Sequence, residues 1–167
     1  DYTCGIDPEK IIKYYRKKYN ITSEKINTNE AYTEIWANII NCFLLSQKMK
    51  RNQYHAFIYM IHLEKEFVLY QCNKISSFYN IPIKEQDLNK HTNVLSYFFI
   101  RCELFNKLTG FLKFCRLNNT KYVKLKNKNK WYEHLKKNKK LSFQSKPFKN
   151  DYIDITTRMS LNELNLF

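Results

Sequence analysis

The clearest pattern of apolar and polar positions runs from Thr28 to about Lys48. Tyr32, Ile35, Trp36, Ile39, Ile40, Phe43 and Leu44 recur at i, i+3, i+4, i+7, i+8, i+11 and i+12, which predicts an amphipathic helix with one core-facing stripe. Ahead of it, Asp7-Pro8-Glu9 reads as a helix start, with Asp as cap, Pro in the first turn and an acid behind it. Ile11, Ile12, Tyr15 and Tyr19 form a short stripe on that helix, and Asn20 to Asn27 a polar connection. The next segment, Asn52 to Phe78, carries Tyr54, Phe57, Ile58, Ile61, Leu63, Phe67, Val68, Leu69 and Ile75 around most of its circumference. A helix apolar on all sides is expected at the centre of a bundle.

Asn80-Ile81-Pro82 ends that helix, because Pro82 lacks an N–H and pushes Ile81 out of the helical region. A short helix can follow at Ile83 to Asn89. Thr92 then caps a fourth pattern, Leu95, Phe98, Phe99, Cys102, Phe105, Leu108, Leu112 and Cys115, interrupted only by Gly110. One glycine costs about 1 kcal/mol relative to Ala, so a helix this apolar should continue through it. Beyond Arg116 the chain turns to Asn and Lys, with a last helix expected around Asn129 to Lys140, where Trp131 and Leu135 share a face. Leu141 to Phe167 has no sustained period beyond one capped turn at Ser160-Leu161-Asn162-Glu163.

Composition agrees with this reading. Among 167 residues there are two Gly and three Pro, too few to punctuate a sandwich or barrel, whereas 44% hydrophobic and 16% aromatic content excludes disorder throughout. A chain of this length buries roughly two-thirds of its unfolded surface. The expected fold is therefore all-α: a bundle of three long helices with short flanking helices over residues 1–140, followed by an irregular C-terminal tail, residues 141–167. No apolar run is long enough for a transmembrane segment. The chain begins at Asp1 rather than Met, so any targeting signal is expected upstream.

Candidate chemistry is sparse. With glycine only at positions 5 and 110, there is no phosphate-cradling loop, dinucleotide fingerprint or nucleophile elbow. His62 and Glu66 share a helical face, but no third metal ligand stands at a motif spacing from them, and Glu64 and Glu66 point to different sides. An enzyme would need a pocket that gathers distant acids and histidines. Cys42, Cys72, Cys102 and Cys115 lie in apolar helical contexts and read as small buried hydrophobes, while Cys4 is the one suited to an exposed or paired role. The thirty-residue spacing of Cys42, Cys72 and Cys102 is no repeat, since their flanks do not match. Two N-x-T sites, at Asn20 and Asn118, matter only on a glycosylating secretory route. No catalytic residue, metal site or cofactor is expected.

The formal net charge is +14, and Lys121 to Lys149 supplies eleven lysines against the single acid Glu133, leaving +10 in about a sixth of the chain. Lysines with interleaved aromatics (Tyr122, Trp131, Tyr132, Phe143 and Phe148) could take nucleic acid, yet the run holds no arginine for bidentate phosphate or guanine contacts. An acidic protein partner is therefore preferred, ahead of an anionic lipid surface and of nucleic acid, with a plain solvated face as the alternative to all three. The candidate partner-binding residues are Lys128, Lys130, Lys136, Lys137, Lys139 and Lys140.

The Lys-, Asn-, Tyr- and Ile-heavy composition is that of proteins from very AT-rich genomes, such as a malaria parasite's. In that setting the order of landmarks resembles the PHIST domain, the Plasmodium helical interspersed subtelomeric family, over roughly residues 21–140. Ile35-Trp36 matches the family's tryptophan on an early helix, Asn80-Ile81-Pro82 its break, 93–116 its third helix and Trp131 the tryptophan on its last, basic helix. The family's further tryptophan after the break is replaced here by the His91 to Val94 region. The resemblance implies a helical bundle exported into the host red cell. It would act there as a non-enzymatic adaptor for host cytoskeletal proteins or the cytoplasmic tail of a variant surface adhesin. Trp36, Pro82 and Trp131 would be architectural, and the basic helix and the exposed face of the first long helix would be contact surfaces.

Overall fold

Two helices begin where an asparagine side chain can take up their first backbone donors. In the computed structural model, which describes residues 8–20, 26–78, 94–142 and 158–161, Asn27 caps α2 (Thr28–Gln47) by accepting from the Asn29 N–H at 3.1 Å. Asn127 caps α6 (Lys128–Lys136) in the same way, accepting from the Lys130 N–H at 3.0 Å. Asparagine also provides the turns. Asn20, at φ 57, closes α1 (Pro8–Tyr19), and Asn52, at φ 58, leads the chain from α2 into α3 (Gln53–Phe78). The fold is an all-α bundle; among the described residues one minute antiparallel hairpin, β1 (Asn119–Thr120) and β2 (Lys124–Leu125), stands between α5 (Leu108–Asn118) and α6.

The fourth pattern folds as three successive pieces. A π-helical turn, Leu95–Ile100, runs into α4 (Arg101–Asn106), and α5 (Leu108–Asn118) follows. The interruption is at Lys107, with φ −121 and ψ 38, and not at Gly110, which sits inside α5. Every residue from Phe98 to Phe105 is buried, so this segment is the centre of the bundle, packed between α2 and α3.

That corrects the expectation for Asn52 to Phe78. The buried residues of α3 all lie between Glu64 and Ser76, and no residue from Gln53 to Leu63 is buried. The stripe expected on α2 is corrected likewise. Tyr32, Ile35 and Ile39 are buried, but Ile40, Phe43 and Leu44 are exposed, and the core face continues through Cys42 and Ser46. The reason is geometric: the fourth pattern crosses only the N-terminal part of α2 and the C-terminal part of α3.

Cys42, Cys72, Cys102 and Cys115 are buried, and no described helix is long and apolar enough to cross a membrane. The described part of the C-terminal region contacts the bundle. Arg101 Nη1 donates to Asn38 Oδ1 at 3.0 Å and to the Met159 carbonyl at 2.6 Å. Glu64 Oε2 accepts from Ser160 Oγ at 2.9 Å and the Leu161 N–H at 3.0 Å. Ser160 thus spends its hydroxyl on a buried carboxylate. Cys4, Asp7, Pro82, Ile83 to Asn89, His91 and Thr92 lie outside the described residues.

Candidate interaction surface

The basic helix α6 is fixed by two residues one turn apart, Trp131 and Leu135, both fully buried. The Trp131 ring lies 5.3 Å from Tyr32, 5.6 Å from Phe114 and 6.2 Å from Phe111, centroid to centroid, and its Nε1 donates to Thr28 Oγ1 at 3.3 Å. Trp36, half-buried, also meets Phe111, at 5.7 Å. His134 stacks on Phe114 at 4.7 Å and on Trp131 at 5.8 Å. Burial, helped by nearby Lys137 and Lys107, lowers its pKa to about 4, so it is a neutral packing group at physiological pH.

The end of α6 is held from outside the helix. The last carbonyls of a helix lack intrahelical donors and carry the negative end of its dipole. Here the Lys136 carbonyl accepts from Tyr14 Oη at 3.3 Å, that of Lys137 from Lys107 Nζ at 2.8 Å and that of Asn138 from Lys18 Nζ at 2.9 Å. Two ammonium groups and a phenol, from α1 and the α4–α5 junction, therefore clasp the same helix terminus.

On this fixed backbone the six candidate lysines divide. Lys130 and Lys137 flank a groove of about 310 Å³ that also includes Lys113, Phe114 and Leu117. Lys136 pairs with Glu133 at 3.1 Å and lies 4.9 Å from the Tyr132 ring centroid. Lys139 and Lys140 border a separate cleft of about 730 Å³. Lys128, in the first turn, is half-buried. Lys107 and Lys113 join these surfaces from outside the run, and no signal short of the packing of α5 on α6 could have included them.

The larger cleft also gathers Glu66, Glu103 and Lys107. Glu103 is buried in α4, with Lys18 Nζ 2.7 Å from Oε1, Tyr15 Oη donating to Oε2 at 3.4 Å and Tyr19 Oη donating to Oε1. Burial raises its pKa to about 7 against the pull of Lys18, and burial lowers that of Lys18 despite Glu103. Both shifts point the same way: for each partner the cost of leaving water outweighs the pull of the other charge. The arrangement can hold a proton near neutral pH, although both carboxylate oxygens are already engaged by α1. One sequence signal could have flagged it, since Arg101 and Glu103 are the only charges in the apolar stretch Phe98 to Phe105. Among the described residues no group of three or more His, Cys, Asp or Glu lies together to hold a metal ion.

The chain matches no family model, and no curated protein or solved structure is measurably similar to it.

Proposed function

We propose that the chain is a non-enzymatic interaction module that docks an acidic protein against the lysines of α6 and of the segment just after it, to Lys140. The observation that carries this reading is the fixing of that helix. Trp131 and Leu135 are buried beneath it and its last carbonyls are clasped from outside, while Lys130, Lys136, Lys137, Lys139 and Lys140 remain exposed. Cations presented on a fixed backbone lose little order on binding, and they speed the encounter with an acidic partner. Glu103 is structural in this reading, because its oxygens already accept from Lys18, Tyr15 and Tyr19.

The PHIST-like reading gives the partner a class: a host cytoskeletal protein or the cytoplasmic tail of a variant surface adhesin, reached by export into the red cell. Its support is that the first and last landmark tryptophans, Trp36 and Trp131, meet on one ring, Phe111.

Co-sedimentation with red-cell cytoskeletal shells, set beside binding to poly(U) RNA over a salt series, tests the proposal. Wild-type protein should sediment with the shells. The combined Lys136→Glu, Lys137→Glu, Lys139→Glu and Lys140→Glu variant should keep its helical circular dichroism and lose about tenfold or more of that binding. Shell binding that is unchanged in the variant reduces the lysines to a solvated face. Tight RNA binding with a steep salt slope would instead establish the runner-up, a basic RNA- or ribonucleoprotein-associated protein.

A further inference from the structure

The end of the bundle remote from α6 is apolar and is not covered by the described residues. On α2, Ile40, Phe43 and Leu44 are 46%, 49% and 57% exposed; on α3, Tyr54, Ile58 and Tyr59 are 71%, 48% and 60% exposed. The α2 residues lie at i, i+3 and i+4, and Tyr54, Phe57, Ile58 and Ile61 at i, i+3, i+4 and i+7, so each helix carries a stripe of its own. Phe43 and Phe57 join the two stripes edge to face, with ring centroids 6.1 Å apart. Apolar surface at helical spacing along a pair of antiparallel helices is the shape that receives a third helix. Scattered exposed apolar residues are ordinary, but two helical stripes joined at the Phe43–Phe57 contact point to an interaction surface.

Charge selects the occupant. From Ile35 to Leu63 the chain contains no Asp or Glu, whereas Lys48, Lys50 and Arg51 stand exposed at the turn between the helices and His55 and His62 are exposed on α3. A second copy would bring the same cations to the surface, which opposes self-pairing. A bilayer would meet the polar turn, Lys48 to Gln53, before it met the apolar stripes, which lie along the sides of the helices. We infer that the α2–α3 turn end is a second docking surface, which takes an acidic amphipathic helix of another protein across the Phe43–Phe57 seam. The surface is independent of α6. Trp131 bonds Thr28 at the start of α2, and Phe43 lies fifteen residues further along, about 22 Å at the helical rise.

The test uses two labelled model peptides, identical leucine-striped helices whose polar faces carry only glutamate in one and only lysine in the other, measured by fluorescence anisotropy. The glutamate peptide should bind about tenfold or more tightly than its lysine twin. Leu44→Glu with Ile58→Glu should abolish that binding with helicity unchanged, and Lys48→Glu, Lys50→Glu and Arg51→Glu together should reverse the preference between the twins. The four-lysine variant of α6 should bind the glutamate peptide as wild type does; if it does not, the peptide was reading α6 and the inference fails. Equal binding of the twins, or binding of neither, overturns it. So does retention on phosphatidylserine vesicles that the Leu44→Glu, Ile58→Glu pair removes, which would assign a lipid surface. A concentration-dependent dimer lost in that same pair would assign a second copy.

Discussion

The two ends of the α2–α3 pair differ in cover far more than in composition. At one end, residues 28–42 and 64–76 are overlaid by α1, the π-helical turn with α4, α5 and α6, and they bury tyrosines, isoleucines, cysteines and even Glu64. At the other, residues 43–63 are as apolar as many cores, yet Ser46 is the only one of them fully buried. Hydrophobic content along a helix states that a surface wants a partner. It does not state whether the chain supplies that partner itself; here the described residues do so at one end only.

The largest expected effect breaks the covered end. Trp131→Ala removes a fully buried ring from Tyr32, Phe111 and Phe114 and should cost about 3–5 kcal/mol in urea unfolding. A cost below about 1 kcal/mol would mean that α6 contributes little to the bundle.

The next effect is a pH dependence confined to the covered end. Glu103 keeps its proton in the folded protein up to about 7, against an ordinary 4.5, so its contribution is fully present below about 4.5 and is lost as pH rises through 7. That is roughly 3 kcal/mol across the window. His134, lowered from 6.5 to about 4, works in the opposite sense: its contribution is present above 6.5 and is lost as pH falls toward 4. Allowing for its partial exposure, it is worth about 1–2 kcal/mol. Relative to wild type, Glu103→Gln should therefore make stability rise more steeply with pH between 4.5 and 7, and His134→Phe should make it fall more steeply. Urea midpoints measured across that range decide the matter, and parallel curves for all three proteins would refute both assignments.

The smallest effect belongs to the uncovered end. Leu44→Glu and Ile58→Glu should each shift stability by no more than about 0.5 kcal/mol, because neither side chain is buried. A loss of about 2 kcal/mol or more, read in the same urea titration, would show that this end is covered within the protein after all.

Most helices were legible, although the helix expected through Gly110 breaks at Lys107 and the last one, expected to reach Lys140, ends at Lys136. The α2 start at Thr28, the span of α3 to within a residue and the pairing of Trp131 with Leu135 on the last helix follow from spacing and caps, which act locally. What failed was the assignment of faces. Residues 52–78 looked central because they are apolar all round, but the segment that is surrounded is Phe98 to Phe105, which carries Arg101 and Glu103. Which apolar helix becomes the axis depends on how the others cross it, and periodicity holds no information about crossings. The division of the basic run has the same origin. Lysines adjacent in sequence, such as Lys137 and Lys139, border different concavities once α6 is docked.

The clasp on the end of α6 has a kinetic consequence. Tyr14 reaches Lys136 across 122 residues and Lys18 reaches Asn138 across 120. Closing a flexible loop of that length costs about 4 kcal/mol or more in chain entropy, at least as much as the roughly 2–4 kcal/mol that the two hydrogen bonds spanning it return. The clasp therefore cannot nucleate the fold. It forms once α2, α3 and α4 have already brought the two ends of the chain together, and on a ribosome it must wait for α6, long after α1 has emerged. Until then α1 carries Tyr14 and Lys18 without the helix whose terminus they are to hold.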